Sequence, residues 1–172
     1  MTSRHQRDQE FSDFVVARRS RLVGAAYLLC GDRHAAEDLV QTALAKLYAA
    51  WPRIHTSGAE DAYVRKIMVR TNIDASRRMW RRELISDELP DQVVPGPELD
   101  GRDELISALA ELGPRQRRVV VLRFFLDLSV EEVAADLRVS PGTVKSQTAR
   151  ALDHLRRRLT DRRLDELTKE RT

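Results

Sequence analysis

A short run of polar and basic residues near the carboxyl end of the chain has the types and spacing needed to read DNA. One side of a helix, opposite an apolar row, would carry Lys145, Ser146, Ala149, Arg150 and Arg157. Lysine and arginine donate hydrogen bonds to phosphates and base edges, and a serine hydroxyl donates or accepts one. The spacing therefore predicts a helix that presents a basic face to the major groove.

Two adjacent helices would position that face. The first is preceded by Ser129 and the second by Ser140, a residue type that caps helix starts. Pro141 then occupies the first position of the second helix, where it loses no needed hydrogen bond. The stripe of the first helix comprises Val130, Val133, Ala134 and Leu137, and the inward row of the second comprises Val144, Thr148, Ala151, Leu155 and Leu159.

The break between these helices completes the pattern of a helix-turn-helix. Arg138 stands where we expect the backbone to turn left-handed, at a cost of roughly 1 kcal/mol for a residue other than glycine. A basic helical hairpin whose charged face meets only water is the alternative interpretation.

A second candidate surface is the basic segment that ends in the run 76–82, SRRMWRR. Trp80 lies among the arginines, and an aromatic ring in that setting can stack on an unpaired nucleobase while arginines hold phosphates. The alternative is that Trp80 packs under the next helix. A polar loop, 53–60, precedes the helix that carries this run.

The residues needed for catalysis or metal binding do not converge. The four histidines are scattered, and no HExxH, GxxxxGK[ST] or GxGxxG motif is present. Glu37 and Asp38 are adjacent and diverge by about 100° on a helix, so they cannot work as a carboxylate pair. We therefore expect no enzyme activity, no cofactor and no metal.

Charge and apolar periodicity predict an all-α chain of two small helical domains. Seven basic residues and one acid lie in 65–82, eight acids and one base in 83–104, and seven bases and two acids in 145–163. Helices are expected over 11–29, 35–51, 61–82, 103–112 and 114–128, before the two described above, with Pro52 ending the second of them. The predicted domains are 8–85 and 102–165, joined by a proline-rich acidic linker at 86–101.

Composition limits where such a chain acts. Cys30 is the only cysteine, which excludes an intramolecular disulfide and suits a small buried residue. No segment has the length of a membrane helix and no apolar signal core is present, so we expect a cytoplasmic, nucleoid-associated protein without membrane insertion.

Three stretches resemble the extracytoplasmic-function (ECF) class of the sigma-70 family, and especially its actinobacterial SigE-like subgroup. They are AYLLCGDRHAAEDLVQTALAKLYAAW at 26–51, PRQRRVVVLRFFLDLSVEEVAADL at 114–137 and SPGTVKSQTARALDHLR at 140–156. The resemblance implies a sigma-2-like helical bundle and a sigma-4-like helix-turn-helix. It also implies docking on core RNA polymerase, at the β′ coiled coil and the β flap, and recognition of promoter DNA. An anti-sigma factor is a further partner known for the class.

The resemblance also implies roles for particular residues. Asp38 and Gln41 would meet the polymerase, and the loop 53–60 would capture a flipped base of the −10 element. Residues implied along the −10 DNA are Arg53, Arg70, Arg77, Arg78, Arg81 and Arg82, and those near the −35 bases are Thr143, Lys145, Ser146, Gln147 and Arg150. Gln147 and Ala149 depart from residues common in the class, so its base preference does not transfer.

Two other function classes fit parts of the pattern. A stand-alone helix-turn-helix regulator would use residues 11–82 as a sensor and would need a dimer on a pseudo-palindromic site. An anti-sigma or adaptor protein would use the acidic linker as its binding surface. A basic helix that follows a polar capture loop favours the promoter-specificity subunit, because neither alternative needs one.

Overall fold

The computed structural model describes residues 4–54, 58–85 and 101–169, with side chains except at 83–85, 101–103 and 162–169. These residues form helices without a strand, in two compact units, Met1–Val93 and Val94–Thr172. The seven α-helices are α1 Arg4–Cys30, α2 Arg33–Ile54, α3 Glu60–Ile85, α4 Gly101–Ala110, α5 Pro114–Val120, α6 Val130–Leu137 and α7 Pro141–Lys169, with a π-helical turn, Val121–Phe125, directly after α5. The all-α prediction is confirmed.

The first unit is built from α1, α2 and α3, and short turns set where these helices begin. Gly31 has a φ of 71° after α1, a conformation that glycine adopts without steric cost. Asp32 then caps α2, because its Oδ2 accepts a hydrogen bond from the Ala35 N–H at 2.7 Å. The core contains Leu22, Ala25, Ala26, Leu29, Ala36, Leu39, Val40, Ala43, Leu47, Ala50, Trp51, Val64, Met68 and Val69.

Several expected helix ends in the first unit are wrong. Pro52 does not end α2, which continues to Ile54. A helix tolerates proline close to its end, because the loss of one backbone hydrogen bond there opens only the last turn. Arg53 and Glu60 accordingly belong to α2 and α3 and not to the polar loop, whose residues 55–57 lie outside the described part.

α1 begins at Arg4 instead of Phe11 because its first turns pack against α2. The Tyr48 hydroxyl donates to Asp8 Oδ1 at 2.6 Å, and the Phe11 ring contacts Tyr48 and Trp51 edge-on, with centroids 4.9 and 5.2 Å apart. Phe14 also meets Trp51. Contacts between residues about forty apart in sequence thus lengthen the helix beyond its apolar stripe.

The second unit packs α4, α5 and α6 with α7. Its core comprises Ala108, Leu109, Leu112, Val119, Val120, Val121, Leu122, Leu128, Val133, Ala134, Val144 and Ala151. The Arg117 guanidinium donates to the carbonyls of Leu109 and Ala110, each at 2.8 Å. These carbonyls lie in the last turn of α4 and have no partner within that helix. Glu111 bridges to α7, accepting from Arg158 Nε at 2.7 Å.

Other expectations about helix extent and burial in these units are also wrong. The fifth helix does not run to Leu128, because it changes to π geometry at Val121 and the π turn ends at Phe125. Ala75 and Leu159 are exposed although the periodicity placed them inward, since α3 and α7 extend past the helices that would cover them. Cys30 is only half-buried. Of the predicted linker 86–101, residues 86–100 lie outside the described part, and Gly101 is the first residue of α4.

Candidate nucleic-acid interface

The face of α7 predicted to read DNA is exposed, and the opposite side of the helix is buried in the core of the second unit. Lys145, Ser146 and Arg150 are exposed, whereas Val144 and Ala151 are fully buried. Thr143 and Ala149 are also exposed, and Gln147 is half-buried at the edge of the face. The buried side therefore fixes the orientation of the helix, and the hydrogen-bond donors on the opposite side face the solvent.

The start of α7 is fixed by its cap. Ser140 Oγ accepts from the Thr143 N–H at 3.1 Å and lies 2.9 Å from Thr143 Oγ1. Ser146 Oγ donates to the Thr143 carbonyl at 3.0 Å. Three hydroxyl groups thus surround the first turn of the helix. The predicted Ser140 cap with Pro141 at the first position is confirmed.

The preceding helix and turn have the predicted geometry. Ser129 and Glu132 form a capping box, with the Glu132 N–H donating to Ser129 Oγ and the Ser129 N–H donating to Glu132 Oε2. Arg138 has φ 56° and ψ 49°, the left-handed conformation predicted for it. The Val139 N–H then closes the turn on the Ala134 carbonyl at 3.0 Å.

The carboxyl-terminal part of α3 carries the second candidate surface. Its six arginines and lysines from Lys66 to Arg82 are exposed: Lys66, Arg70, Arg77, Arg78, Arg81 and Arg82. None of them makes an ion pair within the described residues, and Arg78 donates to the Asp74 backbone carbonyl at 3.5 Å. An excess of positive charge that no internal ion pair neutralises attracts a polyanion.

Trp80 is exposed on this part of α3. Its exposed fraction is 64%, and that of the adjacent Met79 is 60%. Every residue from 77 to 82 is exposed, so this end of the helix projects beyond α1 and α2. The ring is therefore not buried within the first unit, and its exposed face is available for stacking.

The outer face of α2 forms a third surface. Asp38 and Gln41 are exposed while Leu39 and Val40 are buried, as the periodicity predicted. Ala45 and Ala49 continue the exposed face toward the end of the helix. Small side chains beside two polar groups allow another helix to approach closely. Arg53 is exposed in the last turn of the same helix.

The sequence reasoning missed an exposed aromatic pair. Phe124 and Phe125 are 55% and 40% exposed in the π-helical turn, and the Arg123 guanidinium lies over the Phe124 ring at 5.8 Å. Arg123 also donates to the Leu128 carbonyl. Adjacent residues of a helix point about 100° apart, so one inward stripe cannot cover both rings. The adjacency of the two phenylalanines in the sequence was therefore the signal that at least one of the rings is exposed.

No group of three or more histidine, cysteine, aspartate or glutamate side chains in the described residues is placed to hold a metal ion. None of the described helices combines the length and apolar character needed to cross a bilayer.

Comparisons with known proteins match both units. A family model for sigma-70 region 2 covers residues 14–82, and one for sigma-70 region 4 covers residues 102–155. The chain is 40% identical over 169 residues to the RNA polymerase sigma-E factor of Streptomyces coelicolor, covering 94% of this chain and 93% of the relative. The chain belongs to the sigma-70 family of RNA polymerase sigma factors.

Further relatives place this sigma factor in the ECF class. It is 29% identical to the ECF RNA polymerase sigma factor SigE of Mycolicibacterium smegmatis over 157 residues, covering 85% of this chain and 60% of that relative. The solved structure of Bartonella quintana RpoE, in complex with the anti-sigma factor NepR, aligns with a TM-score of 0.75 and 27% identity, covering 88% of this chain and 98% of RpoE. CnrH, solved with the cytosolic domain of CnrY, shares the fold, with a TM-score of 0.62.

Membership assigns a function to the two units. The region 2 match covers most of α1, α2 and α3, and the region 4 match covers α4 to the middle of α7. Regions 2 and 4 support promoter recognition and initiation of transcription, and the sigma factor has that function as a partner of core RNA polymerase and promoter DNA. Sigma factors are in general regulators of transcription and not catalysts.

Proposed function

We propose that this sigma factor holds a promoter through two separate surfaces, the α3 basic end at the −10 element and the outward face of α7 at the −35 element. The observation that carries the proposal is that each unit presents an exposed basic helix face whose arginines form no ion pair within the described residues. These are Arg70, Arg77, Arg81 and Arg82 on α3 and Arg150 on α7. The α7 face lies over buried Val144 and Ala151, whereas the end of α3 continues a helix that is buried only at its earlier residues, among them Val64 and Met68.

At the −10 element, the arginines of α3 bind phosphates and Trp80 stacks on an unpaired base. Extraction of a base costs a few kcal/mol, and stacking on an aromatic ring returns about 1–3 kcal/mol. Phosphate contacts from Arg70, Arg77, Arg78, Arg81 and Arg82 supply the remaining attraction. Arg53, which lies at the end of α2, reaches the same strand beside the loop that receives the extracted base.

At the −35 element, α7 enters the major groove with its first three turns. Lys145, Ser146 and Arg150 reach base edges, and Thr143 holds a backbone phosphate beside the helix start. Gln147 is half-buried, so it contacts DNA only from the edge of the face. Ala149 lies between the longer side chains and suits contact with a thymine methyl group.

Core polymerase binds two further surfaces in this proposal. The Asp38 and Gln41 face of α2 docks on the β′ coiled coil, where the exposed alanines permit close helix packing. Phe124 and Phe125 dock on the β flap, because an exposed aromatic pair beside an arginine is typical of binding anchors. An anti-sigma factor would compete for these same surfaces. The protein has no catalysis of its own and resides with polymerase on the nucleoid.

The primary test is reconstitution. Full-length protein and core polymerase are incubated with a library of genomic fragments, and run-off transcripts are sequenced. We expect transcripts that share a −10 and a −35 sequence and that depend on the added protein. Transcription of no fragment above the level of core alone would refute the proposal.

The polymerase contact is tested with Asp38→Arg, which reverses an exposed charge without disturbing the core. We expect loss of co-elution with core and unchanged helicity. Asp13→Arg is the matched control, since Asp13 is exposed on α1 and lies outside the proposed surface. Equal co-elution of the two variants would show that Asp38 is not part of the contact.

The −35 contact is tested with Arg150→Ala in the reconstituted holoenzyme. We expect a loss of about 1–3 kcal/mol in binding to the selected −35 sequence and a smaller loss on scrambled DNA. Arg156→Ala is the control, because Arg156 is exposed on the same helix and lies about 120° around its axis from Arg150. Equal losses on specific and scrambled DNA would identify Arg150 as a phosphate contact only.

A further inference from the structure

The outward stripe of α3 contains a single acid among its basic residues. Arg70, Asp74, Arg77 and Arg81 recur at intervals of four, three and four residues, which aligns them on one face of the helix. All four are exposed. Asp74 therefore lies within the surface proposed to bind DNA, between arginines on both sides along the helix.

The Asp74 carboxylate has no structural partner in the described part of the chain. It is spaced four residues from both Arg70 and Arg78, an interval that permits ion pairs on a helix. Two pairs among the described residues use that spacing, Arg33 with Glu37 and Arg157 with Asp153. At Asp74, in contrast, Arg78 contacts the backbone carbonyl and the carboxylate forms no ion pair.

An unpaired carboxylate in this position carries a cost for DNA binding, because it repels the phosphates that the neighbouring arginines attract. A carboxylate accepts hydrogen bonds and donates none when ionised. The groups on DNA that can satisfy it are base N–H donors, above all the exocyclic amino groups. Adenine, cytosine and guanine each carry such a group, and thymine does not.

We propose that Asp74 is a specificity-determining residue that accepts a hydrogen bond from the amino group of one base in the −10 element and thereby excludes thymine at that position. The inference rests on the proposed binding of the α3 stripe to −10 DNA. The amino group can belong to a paired base at the duplex edge or to an unpaired base in the melted strand. In the duplex, pairing occupies the thymine N3–H, so thymine offers the carboxylate no donor there, whereas an unpaired thymine keeps that one ring N–H and is disfavoured less strongly.

The test uses the holoenzyme and a promoter library randomised across the −10 element. Transcripts from wild type, Asp74→Asn and the control Asp13→Asn are sequenced and compared. We expect wild type and the control to disfavour thymine about tenfold at one position, the discrimination of one charge-assisted hydrogen bond. Asp74→Asn should lose most of that discrimination, because an amide can also donate to the thymine carbonyl.

Two outcomes would overturn the proposal. A uniform rise in transcription of all sequences by Asp74→Asn would mean that the carboxylate only repels phosphates. An unchanged base profile would mean that Asp74 does not face the DNA bases. Repeating the selection on templates with a premelted −10 element separates the two sources, since a paired-base contact is lost there and an unpaired-base contact persists.

Arg77→Gln in the same library separates this inference from the function on which it rests. If α3 binds the −10 phosphates, Arg77→Gln lowers transcription of all sequences about equally, whatever the result at Asp74. If Arg77→Gln has no effect, the assignment of α3 to the −10 DNA fails. Circular dichroism of each variant checks folding, which we expect to be unchanged because both side chains are exposed.

Discussion

The two helices proposed to bind DNA differ in what supports them. The outward face of α7 lies over buried Val144 and Ala151, and the turn before it is held by a capping box and a left-handed Arg138. The end of α3 from residue 77 to residue 82 is exposed on all sides. A supported face presents side chains at fixed positions, which suits reading duplex DNA. A bare helix end offers its whole circumference, which suits holding separated strands.

The largest expected effect comes from removing the support beneath α7. Val144→Asp places an unpaired charge at a fully buried site and should destabilise the second unit by more than about 3 kcal/mol. Urea unfolding followed by circular dichroism should show early loss of the helices of that unit. Lys145→Asp is the neighbouring control, and it should weaken −35 binding while leaving stability within about 0.5 kcal/mol. Equal destabilisation by both variants would contradict the contrast between supported and exposed sides.

A smaller effect is expected at the bare end of α3. Trp80→Ala should reduce binding of holoenzyme to a single-stranded −10 oligonucleotide about tenfold, because one stacking contact is lost. Its unfolding free energy should stay unchanged, since the ring is 64% exposed. Trp80→Phe should retain most of the affinity, as measured by fluorescence anisotropy. A marked loss of stability in Trp80→Ala would show that the ring has a structural role instead.

The smallest effect is expected in the turn before α7. Arg138→Gly should stabilise the second unit by about 0.5–1 kcal/mol, because glycine occupies the left-handed region without steric cost. Arg115→Gly, at an exposed position of α5, should destabilise it by a similar amount. Thermal unfolding of the two variants measures both shifts. Destabilisation by Arg138→Gly would mean that contacts of the arginine side chain outweigh the backbone cost.

Local signals explain which parts of the fold could be predicted. The two caps and the left-handed turn were predicted from sequence because each depends on residues only a few positions away. They are formed by Ser129, Ser140 and Arg138. The exposed Asp38 and buried Leu39 likewise follow from the period of one helix. The candidate surfaces on α2, α3 and α7 were recognisable for the same reason, since each lies on one continuous segment, whereas the aromatic pair at Phe124 and Phe125 was missed.

Contacts distant in sequence explain the errors. The first turns of α1 depend on Tyr48 and Trp51, and α2 passes through Pro52 although proline usually signals an end. Periodicity also shows which side of a helix could face a core and not whether another helix covers it. The period therefore predicted inward positions for Ala75 and Leu159. Both are exposed, because α3 and α7 extend past the helices that would cover them.

The π-helical turn at Val121–Phe125 has a consequence for how this surface can change. A π turn bonds each N–H to the carbonyl five residues earlier, as Leu126 does to Val121 at 3.0 Å, and so accommodates one residue more than an α turn. Deleting one residue there would let the turn close as an α-helix. The aromatic pair would then rotate by about 100° while the core before it and the capping box after it kept their sequence. A change of chain length by one residue, without any substitution, would thus redirect the proposed polymerase anchor.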